Sequence, residues 1–172
     1  MERKEQVDMI IRYLWDIQRR VQLWNFIFGK DSSQAKVDEF TEYFTGWINY
    51  DLQQCLETKI LVDLRGLFDK SENTVISLYK VYSKEQLKDA IEAYTDISKF
   101  TNTSITHKNH KAQYSYTFAD INKTINSIQK VINDNETFDT LWEIDYIMGC
   151  DLEHLYEKVQ RVNRIEKVRK KS

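Results

Sequence analysis

A chain of 172 residues with no proline and only four glycines, Gly29, Gly46, Gly66 and Gly149, has few means of making the tight turns that a β-rich fold requires. Backbone with so little punctuation runs in long regular segments. Here those segments repeat their apolar residues with a helical rather than an alternating period. The expected fold class is therefore all-α, an antiparallel bundle of four to five main helices. Hydrophobic residues make up 41% of the chain and charged residues 30%, enough for one core and a solvated exterior, so residues 1–172 are read as a single domain. A chain of this length buries roughly 70% of its unfolded surface, which removes the need for a disulfide or a structural metal.

Val7, Ile10, Leu14, Ile17, Val21, Trp24 and Phe28 recur at steps of three and four and form an a/d seam along a first helix. Gly29 is expected to close it in the left-handed conformation, with Asp31, Ser32 and Ser33 as caps for the next helix. A second helix is read from about residue 34 to residue 68, with Phe40, Phe44, Ile48, Leu52, Cys55, Leu56, Val62 and Leu64 inward and Gly46 and Gly66 marking a bend or a close approach. The polar break Asp69-Lys70-Ser71-Glu72-Asn73-Thr74 precedes a short helix carrying Val75, Leu78 and Val81. Ser83 with Gln86 is a capping-box pair opening a helix through Leu87, Ile91, Tyr94 and Ile97, and Thr117 with Asp120 caps a helix through Ile121, Ile125, Ile128 and Ile132. A last helix starts near Thr137 and ends in a basic segment at about 161–172, where cations meet the negative end of the helix dipole.

Cys55 and Cys150 lack any CxxC spacing and read as small core thiols in a reducing compartment. No run approaches the roughly 20 apolar residues of a membrane span, and the charged start Met1-Glu2-Arg3-Lys4-Glu5-Gln6 is unlike a signal peptide. A cytoplasmic protein without membrane association is expected. The formal net charge of -2 argues against bulk, sequence-independent nucleic-acid binding, which needs a strongly positive face. Glycine-rich phosphate loops and the Ser-His-Asp and Cys-His signatures are absent from the sequence.

One stretch departs from this background. From Ile97 to Ala119 there is no acidic residue, yet Lys99, His107, Lys108, His110 and Lys111 fall there, with Tyr114 and Tyr116 beside them. Cations contact phosphates and rings stack on bases, so Lys99, Lys108, His110, Lys111 and Tyr114 are candidate RNA-binding residues. The alternative is a solvated loop whose lysines serve solubility. Helical periodicity vanishes between Thr101 and Thr117, and an irregular stretch of that length is uncommon in a compact domain unless it binds something or moves. His107 and His110 have an HxxH spacing but no third ligand nearby, and His154 lies far along the chain. No metal and no cofactor are expected.

Two passages resemble the HEPN superfamily (higher eukaryotes and prokaryotes nucleotide-binding), and within it the abortive-infection AbiU-type proteins of bacterial phage defence. One is Leu61-Val62-Asp63-Leu64-Arg65-Gly66-Leu67-Phe68-Asp69-Lys70 followed by Thr74-Val75-Ile76-Ser77-Leu78; the other is Ile105-Thr106-His107-Lys108-Asn109-His110-Lys111. The likeness spans about residues 1–133. It implies a helical homodimer in which a histidine, preceded at four to six intervening residues by an arginine, cleaves RNA without metal at the dimer interface. The implied catalytic histidine is His107. Counting back from it, the arginine positions are Phe100, Thr101 and Asn102, so Asn102 offers a neutral amide where the family places a guanidinium. Losing that planar fork removes a bidentate phosphate clamp, which a lysine such as Lys99 or Lys108 replaces only as a point charge.

The resemblance thus implies an RNA-binding protein of phage defence or toxin-antitoxin type with reduced or lost ribonuclease activity, or a metal-independent endoribonuclease that keeps its activity. A third reading, from a different class, is a non-catalytic helical protein holding a protein partner such as an antitoxin or phage component. Trp15, Trp24, Trp47 and Trp142 would be its anchors.

Overall fold

The computed structural model describes residues 2–29, 46–71, 73–102 and 115–136, with the backbone alone at 46–49, and four single positions beyond, Glu157, Gln160, Arg161 and Arg164. Every regular element among the described residues is helical: α1 (Arg3–Phe28), α2 (Gly46–Leu67), a 3-10 turn (Leu78–Lys80), α3 (Lys88–Phe100) and α4 (Phe118–Asn135). That is the all-α class. The chain divides into two compact units, residues 1–18 with 58–138 and residues 19–57 with 139–172. None of the described helices is long and apolar enough to cross a membrane. Phe40, Phe44, Ile48, Cys150, Trp47, Trp142, the helix expected from Thr137 and the bulk of the basic segment lie outside the side chains described.

In the first unit α1 starts on a local cap, the Glu2 N–H donating to Glu5 Oε2 at 3.0 Å, where a carboxylate also favours the positive end of the helix. Its seam is buried as the periodicity requires at Val7, Ile10, Leu14 and Ile17, with Ile11 added. Each such side chain contributes about 1.5–3 kcal/mol by leaving water.

α2 departs from the expected pattern. Its buried side chains are Ile60, Leu61, Leu64 and Leu67, followed by Phe68 just beyond its end, whereas Val62 is 44% exposed and Cys55 is exposed. The reason is angular. At about 100° per residue, Val62 lies on the opposite side of the helix from Leu64, and Cys55, seven residues earlier, shares its outward side. The inward position between Ile60 and Leu67 is instead taken by Asp63, which is 0% exposed.

Gly66 faces the Tyr13 ring of α1, where an added Cβ would lie 3.7 Å from the hydroxyl oxygen, ordinary van der Waals contact. The position therefore has room for alanine, and α2 does not need the glycine for its close approach. Because a glycine inside a helix costs roughly 0.5–1 kcal/mol relative to alanine, Gly66→Ala is expected to raise stability by up to that amount. A lower midpoint in urea denaturation would show that Tyr13 tolerates no added atom.

After α2 the short helix expected around Val75 and Val81 is reduced to the 3-10 turn Leu78–Lys80, and Val75 is 60% exposed. Hydrogen bonds within the loop, rather than an apolar stripe, shape this segment. The Ser83 and Gln86 pair is present, with Ser83 N–H to Gln86 Oε1 at 2.8 Å and Gln86 N–H to Ser83 Oγ at 3.3 Å. It caps a turn, and the α-helix proper opens later, at Lys88.

α3 and α4 pack against each other. Gln86, before α3, donates to Asn135 at the end of α4, and Phe100 at the end of α3 meets Tyr116 before α4 at 4.8 Å between ring centroids. Partners at both ends make the pair an antiparallel hairpin. α4 begins on the capping box read from sequence: Thr117 Oγ1 accepts from Asp120 N–H at 3.2 Å and Asp120 Oδ2 accepts from Thr117 N–H at 2.7 Å. Beyond its end, Glu136 forms an ion pair with Arg3 at 2.5 Å. Beside them Tyr82 is buried, and burial, followed by the negative charge of Glu136, raises the pKa of its hydroxyl.

In the second unit Ile27 is buried among Leu23, Phe26, Phe28 and Leu52. Val21 is buried with it, whereas Trp24 and Phe28 are half-buried, so the core position near the end of α1 passes to Ile27. Trp24 Nε1–H donates to Glu57 Oε1 at 3.0 Å, which Gln53 also contacts. Gly29 does not adopt the left-handed conformation; a Cβ there would collide with the Asn25 carbonyl oxygen, so the closing of α1 calls for a missing side chain and not for a positive φ.

Candidate functional site

The candidate region lies in the first unit, where the end of α2 meets the middle of α3 and the 69–80 loop follows. Phe68 stacks on Tyr94 with ring centroids 4.2 Å apart and planes 5° from parallel. Both rings are buried, so the contact ties the last turn of α2 to the middle of α3. Arg65 lies three residues before Phe68, one turn back along the same side of α2, and its side chain is exposed.

The 69–80 loop folds on its own hydrogen bonds. Asp69 Oδ1 accepts the Ser71 N–H at 2.9 Å, an Asx turn, and Oδ2 accepts the Thr74 hydroxyl at 2.5 Å. Ser77, buried, donates its hydroxyl to Asp69 O at 2.5 Å and caps the 3-10 turn by accepting the Tyr79 N–H at 3.3 Å. Lys80 Nζ donates to Thr74 O, and Lys70 Nζ sits 5.0 Å from the centre of the Tyr79 ring. The Thr74 hydroxyl first, then the Ser71 N–H and, more weakly, the charge of Arg65 hold the Asp69 carboxyl below its ordinary pKa.

At the far side of Tyr94 the chain leaves α3. Thr101, just past the end of α3, is buried and donates to Ser98 O at 3.1 Å. Burial raises the Tyr94 pKa, opposed by the nearby Thr101 side chain and then by the charge of Arg65. Thr101 and Asn102 continue α3 with π-type geometry, a form that recurs at functional positions. The contact between Phe100 and Tyr116 returns the chain to the point from which it left, so Tyr116 is engaged with Phe100.

Of the residues read from sequence as site residues, two are described. Lys99 is exposed and forms an ion pair with Asp96 at 3.0 Å, an acid one residue before the acid-free stretch begins. Asn102 is exposed, its Nδ2 donating to Ser98 Oγ at 3.4 Å. His107, Lys108, His110, Lys111 and Tyr114 lie outside the described residues. The stack of Phe68 on Tyr94 was not read from the sequence. No local spacing signals it, since the two rings come from separate segments of the chain.

Among the described residues no three histidine, cysteine, aspartate or glutamate side chains are grouped to hold a metal ion. Comparison of the chain with protein-family models, with curated proteins and with solved structures returns no match.

Proposed function

We propose that this chain is an RNA-binding protein of HEPN type, acting as a cytoplasmic homodimer in phage defence or a toxin-antitoxin pair, with ribonuclease activity reduced or lost. The observation that carries the reading is the acid-free stretch with its cations and tyrosines, emerging from and returning to one point where Phe100 meets Tyr116. Concentrating positive charge and rings on one excursion of an otherwise acidic chain suits a single-stranded nucleic acid, whose phosphates need cations and whose bases need flat partners. In this reading His107 contacts the RNA backbone, and Lys99, Lys108, His110, Lys111 and Tyr114 surround it. Asn102 at the motif arginine position is the reason for weak or absent cleavage, since a neutral amide does not stabilise charge building on a phosphate.

The test is fluorescence anisotropy with a 5′-labelled single-stranded RNA at low salt, paired with a cleavage assay in EDTA. Wild type is expected to bind with an affinity that falls as salt rises, and His107→Ala to weaken that binding, with little cleavage by either. Absence of binding at low salt would refute the proposal. Fast cleavage in EDTA that His107→Ala abolishes would restore the active endoribonuclease.

A protein-binding reading draws on different observations. Tyr50 is 63% exposed, Val62 and Val75 also face solvent, and the half-buried Trp15 has a buried Nε1–H without a hydrogen-bond partner. Light scattering that shows a monomer, with no RNA bound, would favour it over the first.

A further inference from the structure

We infer that the Arg3–Glu136 ion pair is a charge-operated clasp, which holds the start of α1 and the end of α4 closed and lets both ends loosen together when its charges are screened. The two residues stand 133 positions apart in the chain and join the two segments, 1–18 and 58–138, that make up the first unit. Their contact is bidentate: Arg3 Nη1 donates to Glu136 Oε2 at 3.0 Å and Nη2 to Oε1 at 2.5 Å. Parallel N–H donors on one carboxylate fix both its position and its orientation.

The place of each charge is what makes the pair a clasp. Arg3 is the first residue of α1, at the positive end of that helix, and Glu136 follows the last residue of α4, at the negative end. Each charge is therefore disfavoured by its own helix and is offset by the other. α4 has no basic residue in its last turn, where Asp134 adds a further negative charge, so the cation its end calls for comes from α1. Glu5, the acid in the first turn of α1, is engaged with the Glu2 N–H at 3.0 Å. Burial is uneven as well: 13% of the Glu136 side chain is exposed, against 57% for Arg3. Opening the pair leaves a nearly covered carboxylate at the wrong end of a helix, and the last turn of α4 gives way with the first turn of α1. The neighbouring contact of Gln86 with Asn135 is neutral and does not respond to salt.

The experiment reads amide hydrogen exchange, as protection factors on the full chain, in wild type, Glu136→Gln and the exchanged pair Arg3→Glu with Glu136→Arg. The probes are the Gln6 N–H, bonded to Glu2 O at 3.1 Å, and the residue-136 N–H, bonded to Ile132 O at 2.9 Å, with the amides of the buried Ile121, Ile125 and Ile128 as the interior reference. Glu136→Gln is expected to lower protection at both ends by about three- to tenfold and to leave the interior unchanged. Raising salt to about 0.5 M should do the same to wild type and add nothing in Glu136→Gln. The exchanged pair rebuilds the bridge with both charges favoured by their helices, so its protection should equal or exceed that of wild type. Unchanged protection at the ends in Glu136→Gln overturns the clasp. A fall that spreads equally to the interior amides overturns it too, since the pair would then contribute to global stability alone. Protection in the exchanged pair as low as in Glu136→Gln overturns the role of the helix dipoles.

Discussion

Phe68→Ala is expected to destabilise the protein by about 3–5 kcal/mol, the cost of truncating a buried phenylalanine whose surroundings collapse only in part. For a chain of this size that lowers the melting temperature by roughly 10 °C. The magnitude follows from what the ring touches. Phe68 is 8% exposed, lies just past the end of α2 and stacks on Tyr94 of α3 at 4.2 Å, so its removal empties a contact between two elements and leaves the Tyr94 ring without its partner. Phe68→Leu keeps most of the buried apolar volume and loses the stacking, worth about 0.5–1.5 kcal/mol beyond area; it should fall well between wild type and alanine. Denaturant titration with both variants measures the difference. If alanine costs no more than leucine, the stack does not join the end of α2 to α3.

The helical class was legible because absent proline and scarce glycine leave little else, and the α1 seam was legible because Val7, Ile10, Leu14 and Ile17 are all strongly apolar on one face. The capping box at Thr117 and Asp120 was equally readable, since it depends on two side chains three residues apart and on no distant neighbour. α2 was not. There residue type and angular position disagree: valine and cysteine prefer the interior, aspartate the surface, yet helix geometry turns Val62 and Cys55 outward and Asp63 inward. Val75 misled in the same way, because the loop around it is held by Asp69, Thr74 and Ser77 rather than by an apolar stripe. Of the candidate site residues read from the sequence, Lys99 and Asn102 are described, and the others lie outside the described residues. The stack of Phe68 on Tyr94 was not legible, because it joins distant parts of the chain.

Asp63→Ala is expected to cost about 2–4 kcal/mol, although the residue it removes is an acid. Asp63 is 0% exposed and its Oδ1 accepts the Tyr13 hydroxyl at 2.7 Å and Lys59 Nζ at 2.6 Å. A hydrogen bond to a charged group contributes about 1.5–3 kcal/mol, and deleting the acceptor leaves the Tyr13 donor facing a small cavity. Lys59 is different. Half of its side chain is in water, so Lys59→Ala should cost less than about 1 kcal/mol, as exposed ion-pair partners do. Asp63→Asn keeps the volume and an oxygen for Tyr13 and should fall between. In a double-mutant cycle, Tyr13→Phe with Asp63→Ala should lose less than the sum of the single variants by about 1–2 kcal/mol, the signature of a direct bond. Strict additivity would mean the two side chains do not stabilise each other. The inward aspartate then reads as a device for setting helix rotation: turning α2 to bury Val62 would strip Asp63 of its Tyr13 partner, so the pair penalises the alternative that residue type alone would choose.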